Sequence, residues 1–277
     1  MNTHQLPFGV LLRRWRQRRR MTQMDLAAAA DSSTRHLSCL ETGRAQPSAE
    51  MVMRLAERLE IPLRDRNALL LAAGFAPAFA ERSLAELTSA HRAIEQILEA
   101  HKPYPAFAVD RHWDIVLSNS ALPQLYVDCS PELLRRPVNA IRLMLHPFGL
   151  APRIVNLAEW RAHIVAVLRQ QIEARADSGA QALLAEIMAY PAPTGDAAAS
   201  SEGPQRYATP LRIATGAGVV SFLSTTTIFG TPTDVTLSEL ALEMLFPADE
   251  ETVAIARKLT AEEAARLERE RALVGAR

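Results

Sequence analysis

Helix caps and stops crowd the first quarter of the chain so closely that every helix there must be short. Thr22 is a good N-cap, and Asp25, three residues on, has the spacing of its capping partner. Asp31-Ser32 breaks the following apolar pattern, and Ser32 or Ser33 can cap a new segment that runs to about Glu41. Thr42-Gly43 stops that segment, because glycine accepts the left-handed backbone of a helix end. Ser48 caps a fourth segment, Pro62 sits near the start of a fifth, and Gly74 closes it. Between these marks the apolar residues keep helical spacing. Phe8, Leu12 and Trp15 share a face with Leu11 beside it, and Leu26 with small alanines fills the second segment. Met51, Val52, Leu55, Ala56 and Leu59 form a stripe in the fourth, and Leu63, Leu70 and Leu71 follow in the fifth. Five short helices are expected, the second and third joined by a turn tight enough for a helix-turn-helix.

Charge is distributed to match. The chain of 277 residues has no net charge, yet residues 1–76 hold 12 Arg against seven Asp plus Glu, leaving an acidic remainder. Only the first segment is therefore suited to approach a polyanion. Arg13, Arg14, Arg18, Arg19 and Arg20 fall mostly on exposed faces of the first helix, as a solvated basic face or as phosphate contacts.

The runs Thr22-Gln23-Met24-Asp25-Leu26-Ala27, Ser38-Cys39-Leu40-Glu41-Thr42-Gly43-Arg44, Pro47-Ser48 and Leu55-Ala56 resemble the phage-repressor (XRE-type) DNA-binding fold. That family usually has Gly and an apolar residue in the central turn, where this chain has Asp31 and Ser32; a strained but intact turn is expected, since Asp tolerates the left-handed region. The resemblance implies that the third helix enters the major groove of an operator, with Ser33, Thr34, Arg35 and Ser38 or Cys39 toward base edges. Arg35 is the expected bidentate reader of guanine, and Gln23 and Arg44 the expected phosphate contacts. Arg16 and Glu41 match positions that form a buried ion pair in this fold. His36 is expected to pack rather than to read sequence.

The rest of the chain reads as α+β. A helix is expected at 83–100, then a hairpin of Ala106–Val109 and Trp113–Leu117 about a turn at Asp110-Arg111-His112. Helices are expected at 119–126, 139–145, 156–174 and 179–189, with Asn139 and Asn156 as N-caps. Residues 191–204 read as a loop, 207–214 and 218–229 as strands, and 235–246 as a strand whose part from Leu237 to Leu245 equally suits a short helix. A charged helical segment ends the chain, fraying from Arg271. Two strands, a helical insertion and three strands give a five-stranded antiparallel sheet in PAS-like order. The expected division is 1–78 for the all-α DNA-binding domain and 79–277 for the PAS-like domain.

Several further runs resemble the MmyB-like regulators: Arg35-His36-Leu37-Ser38, Arg66 to Pro77, His101 to Ala106, Asp110 to Trp113 with Asn119, Leu145-His146-Pro147, and Phe229 to Thr236. That resemblance implies a PAS-like ligand domain that holds a fatty acid. An acyl ligand needs an apolar cavity and a polar anchor. The lining candidates are Trp113, Ile115, Leu117, Leu143, Ile164, Leu168, Phe222 and Ile228, each equally readable as plain core. The anchor candidates are Arg142, Arg161 and His146, with Asn119 or Asn156 as hydrogen-bonding alternatives.

Other classes are disfavoured. Cys39 and Cys129 have neither disulfide-framework nor zinc spacing, and no phosphate loop, paired metal histidines or nucleophile elbow occurs. No cofactor beyond the fatty-acid ligand is expected. Six arginines between Pro7 and Met21 preclude a signal segment, and runs such as Val219–Leu223 are too short to span a bilayer. The expectation is a cytoplasmic, non-enzymatic homodimer that binds double-stranded DNA and responds to a fatty acid. The alternatives are a domain that only dimerises and carries structural lipid, or an enzyme regulated by its DNA-binding head.

Overall fold

The caps do what their spacing requires. The computed structural model describes residues 6–175, 177–191 and 209–275, and it begins with α1 (Phe8–Arg18), α2 (Gln23–Ala29), α3 (Thr34–Glu41), α4 (Ala49–Arg58) and α5 (Leu63–Ala72). Thr22 Oγ1 accepts from Asp25 N at 3.1 Å while Asp25 Oδ2 accepts from Thr22 N at 2.9 Å, closing a reciprocal cap on α2. Ser33 and Ser48 cap α3 and α4 one way only, their hydroxyls accepting from His36 N and Met51 N. Asp31 takes the left-handed backbone with φ 51°, so the turn is intact without glycine.

The first unit comprises the described residues of Met1–Ser83, Glu173–Ala176 and Gly230–Ser238. Leu12, Leu26, Leu37, Leu40, Val52, Leu55, Leu59 and Leu69 form its core. A Cβ on Gly9 would collide with the carbonyl oxygens of Leu40 and Glu41, so α1 crosses α3 at backbone distance. Beside that crossing lies the Arg16–Glu41 pair, with Nε–Oε1 at 2.6 Å and Nη2–Oε2 at 3.0 Å. Arg16 Nη1 also donates to Met21 O, and Gln23 Nε2 donates to Glu41 Oε2 at 2.8 Å. One buried carboxylate thus joins α1, α2 and α3. Burial alone would raise the Glu41 carboxyl, but the hydrogen bonds from Arg16 and Gln23 and the Arg16 charge hold it below its ordinary value.

The second unit comprises the described residues of Leu84–Ile172, Asp177–Phe229 and Glu239–Arg277. Its strands are β1 (Ala106–Val109), β2 (Ile115–Ser118), β3 (Leu211–Thr215), β4 (Gly218–Ile228) and β5 (Ala241–Pro247), all antiparallel, in the PAS-like order β2-β1-β5-β4-β3. Its helices are α6 (Thr88–Ala100), α7 (Ala140–Leu145), α8 (Leu157–Arg175, the last three residues of which fall in the first unit), α9 (Ser178–Ala189) and α11 (Glu250–Gly275), with 3₁₀ turns at Pro123–Tyr126 and Ala151–Arg153, while α10 (Val235–Glu239) falls in the first unit up to Ser238. α6 packs on β1 and β2, and α11 on β4 and β5. Asn139 caps α7 as expected, its Oδ1 accepting from Arg142 N. Asn156 instead bonds Glu159 and the Pro210 and Arg212 backbone, securing the start of β3.

Two strand expectations and one helix expectation need correction. Residues 235–246 are not one strand: α10 precedes β5, because Asp234 Oδ1 accepts from Thr236 N at 2.9 Å and so starts a helical turn. Trp113 lies in the hairpin turn with φ 67° rather than in β2, held there by Asp110 Oδ1, which accepts from His112 N and Asp114 N. The 119–126 segment is helical only as its final 3₁₀ turn, Pro123–Tyr126. The loop expected at 191–204, beyond its first residue, and the first two residues of the strand expected at 207–214 lie outside the described residues. Among the described residues no helix is long and apolar enough to cross a membrane.

Arg16→Ala, which leaves Glu41 buried with Gln23 alone, is expected to lower stability in urea unfolding by about 3–5 kcal/mol, and Arg16→Met with Glu41→Leu together by much less. The folded value of Glu41 is depressed. Its contribution is therefore complete above its unfolded value of about 4.3 and is lost as pH falls through the folded value. Acid titration of the wild type should show that loss, and the double variant should not. A cost below about 1 kcal/mol for Arg16→Ala would remove the pair from this role.

Candidate functional site

On the first unit, α3 sets out its first turn toward solvent. Thr34 and Arg35 are exposed, Ser38 is half-buried, and Arg44 is exposed just past Gly43. The Ser33 hydroxyl caps α3, accepting from His36 N at 3.1 Å, which leaves its own O–H to donate. The Gln23 side-chain amide is turned to Glu41, which leaves the start of α2, rather than that amide, for an anion. His36 is half-buried and Leu37 and Leu40 are buried, so the face of α3 opposite Arg35 belongs to the core.

On the second unit a cavity of about 180 Å³ lies between the sheet and the helices α7 and α8. Its walls are mostly apolar: Phe107, Trp113, Leu143, Trp160, Ile164 and Leu245 among them. For scale, a cavity of about 150 Å³ holds benzene, so the space suits a slim apolar group. The polar atoms gather where β4 and β5 pair. Thr226 stands opposite Glu243 and Ser224 opposite Leu245, and Phe107 of β1 stands opposite Glu243 on the other side. Ser224 Oγ donates to Glu243 Oε2 at 2.8 Å and Thr226 Oγ1 to Oε1 at 2.7 Å. Glu243 is only 6 % exposed, and burial pushes its carboxyl up against the opposing effect of those two hydroxyls. His163 on α8 and Tyr126 also line the cavity; burial lowers the imidazole and raises the phenol, so both favour their neutral forms. No Lys or Arg is among the described lining residues.

The expected ligand residues are only partly brought together here. Trp113 lines the cavity, its indole N–H donating to Gln171 Oε1 at 2.8 Å. Leu143 and Ile164 line it too, whereas Phe222 and Leu168 belong to the core beside it and Ile228 is 69 % exposed. The expected anchors are engaged elsewhere. Arg142 forms a bidentate pair with Glu186 at 2.7 Å, and Tyr190 Oη donates to the same carboxylate. Arg161 donates to the carbonyls of Ile187, Met188, Tyr190 and Pro191 at the end of α9. His146 Nδ1 accepts from Phe148 N, and its ring lies edge-on to Tyr190. Asn119, 1 % exposed, donates to Leu98 O and Tyr104 O and accepts from Ala106 N, tying the end of α6 to β1. Sequence reading passed over Glu243, Ser224 and Thr226. The available signal was a lone carboxyl inside the apolar run from Leu240 to Phe246.

Comparison with known proteins adds the family. Residues 7–69 match the family model of a helix-turn-helix domain, and residues 90–259 match that of the MmyB-like transcription regulator ligand binding domain. No curated protein matches the chain. Among solved structures, one described as an RNA-binding light-oxygen-voltage receptor aligns at 14 % identity with a TM-score of 0.28, over 94 % of this chain and 62 % of that one. This chain therefore spans less than two thirds of that receptor, and the likeness is too loose to bear on fold or function. The chain belongs to the MmyB-like transcription regulators, a helix-turn-helix domain preceding the family's ligand binding domain.

Proposed function

We propose that the protein is a cytoplasmic, homodimeric transcription regulator that binds a roughly palindromic operator and whose affinity for it responds to a fatty acid held in the second unit. The observation that carries this reading is the cavity: a mostly apolar space with a few polar side chains in its wall, in a chain that also exposes the first turn of a helix-turn-helix. Thr34 and Arg35 meet base edges, and Arg35 reads guanine bidentately. Arg44 and the start of α2 hold phosphates and set the register without reading sequence. Two such short helices, about one DNA turn apart, give a dimer useful affinity. The small cavity suits a short acyl segment, and a long chain requires its lining side chains to move apart.

The test is binding of the full chain to its own upstream DNA across a salt series, with myristate stabilisation followed in parallel by thermal unfolding. Arg35→Ala should remove about 1–3 kcal/mol of discrimination between operator and scrambled DNA. Arg44→Ala should weaken both alike and reduce the salt slope by about one. Myristate should raise the unfolding temperature of the wild type. Unchanged sequence preference in Arg35→Ala would refute the assignment of the reading residue, and absence of myristate stabilisation would refute the fatty acid.

A further inference from the structure

Glu243 is an unusual wall for an acyl site. Its carboxyl is buried on the inner face of the central strand, two hydroxyls donate to it, and no described lining residue offers it a cation. An incoming carboxylate would meet a like charge at this end of the cavity, and two carboxylates sharing one site do not both ionise. Resting on the reading of this cavity as the ligand site, we propose that Glu243 is its polar anchor, and that it selects a slim alkyl chain whose head group donates a hydrogen bond, a hydroxyl or a protonated carboxylic acid, over one that ends in a carboxylate.

An alcohol donates its O–H to a Glu243 oxygen, and no proton is exchanged with solvent. A fatty acid enters with one proton held between its carboxyl and that of Glu243, so a ligand ionised in solution takes up a proton on binding and rising pH opposes its entry. Burial of Glu243 in the empty cavity already favours the protonated form, against the hydrogen bonds from Thr226 and Ser224. Among the described lining residues, the other titratable groups are His163 from α8 and Tyr126 from the 3₁₀ turn. The imidazole is held below its ordinary value and the phenol above its own, so neither changes charge between about pH 7 and pH 9. Over that window the pH dependence belongs to Glu243 and the ligand.

The experiment titrates full-length protein with 1-decanol and with decanoate at about pH 7 and about pH 9, reading tryptophan fluorescence, since Trp113 and Trp160 line the cavity. Decanol should bind with affinities within about threefold at the two pH values, while decanoate should bind at least about tenfold more weakly at the higher one, a proton-uptake slope. Glu243→Gln keeps the shape and partners for both hydroxyls, and it should abolish the decanoate step. The wild-type comparison decides the matter even without the variant. Decanoate binding of equal strength at both pH values would overturn Glu243 as the anchor while leaving the cavity as the ligand site. Failure of both decanol and decanoate to bind would overturn the anchor and the ligand reading together.

Discussion

Everything in the second unit hangs on the register of β5. It pairs with β1 on one side and β4 on the other, and β2 and β3 attach only through those two neighbours. Side chains alternate along a strand, so a slip of one residue would send Glu243 and Leu245 to the far face and bring Leu242 and Met244 inward. With the register as it is, Thr226, Glu243 and Phe107 lie in one cross-strand row, and Ser224 stands opposite Leu245 in the next. The polar end of the cavity is thus a product of two pairings rather than of any local motif. α10 ends just before β5 begins, and the Asp234 bond to Thr236 N fixes where the helix starts.

The first unit has a comparable fixed point. The approach of α1 to α3 demands glycine at position 9, and the Arg16–Glu41 pair locks the same crossing. A buried ion pair adds little net stability over an apolar substitute, because desolvating both charges costs nearly what their attraction returns. What this one does is orient. Glu41 ends α3, Arg16 lies on α1, and Gln23 begins α2, so the helix that exposes Thr34 and Arg35 is held at a defined angle to the other two. The proposed DNA contacts depend on that angle, although none of the three residues need touch DNA.

Much of this was legible in the sequence wherever one residue type has one physical use. Serine and threonine caps, Gly43 after α3, and apolar spacing located α1 to α5 nearly to the residue, and the left-handed Asp31 followed from what Asp tolerates. Strands were legible from β-branched runs, but 235–246 satisfied both helical and strand spacing, and only the Asp234 cap divides it. The cavity was the least legible part. Arg142, Arg161 and His146 were expected as anchors because their chemistry suits a carboxylate, yet each finds its partner on α9, around its end, or in its own turn, and sequence spacing carries no trace of this. Glu243 was visible as a misfit in an apolar strand. Its meaning came only from the register that sets Thr226 beside it.

The proposed regulation requires occupancy of the cavity to change the grip of α3 on DNA. The most direct measurement is fluorescence anisotropy of delipidated protein on its upstream DNA at fixed salt and about pH 7, with and without saturating ligand. The account predicts an operator affinity that shifts by about tenfold or more, a coupling of at least about 1.4 kcal/mol, while scrambled DNA shifts little. Specific binding of the same strength with and without ligand would contradict it, leaving a DNA-binding protein whose cavity serves stability alone.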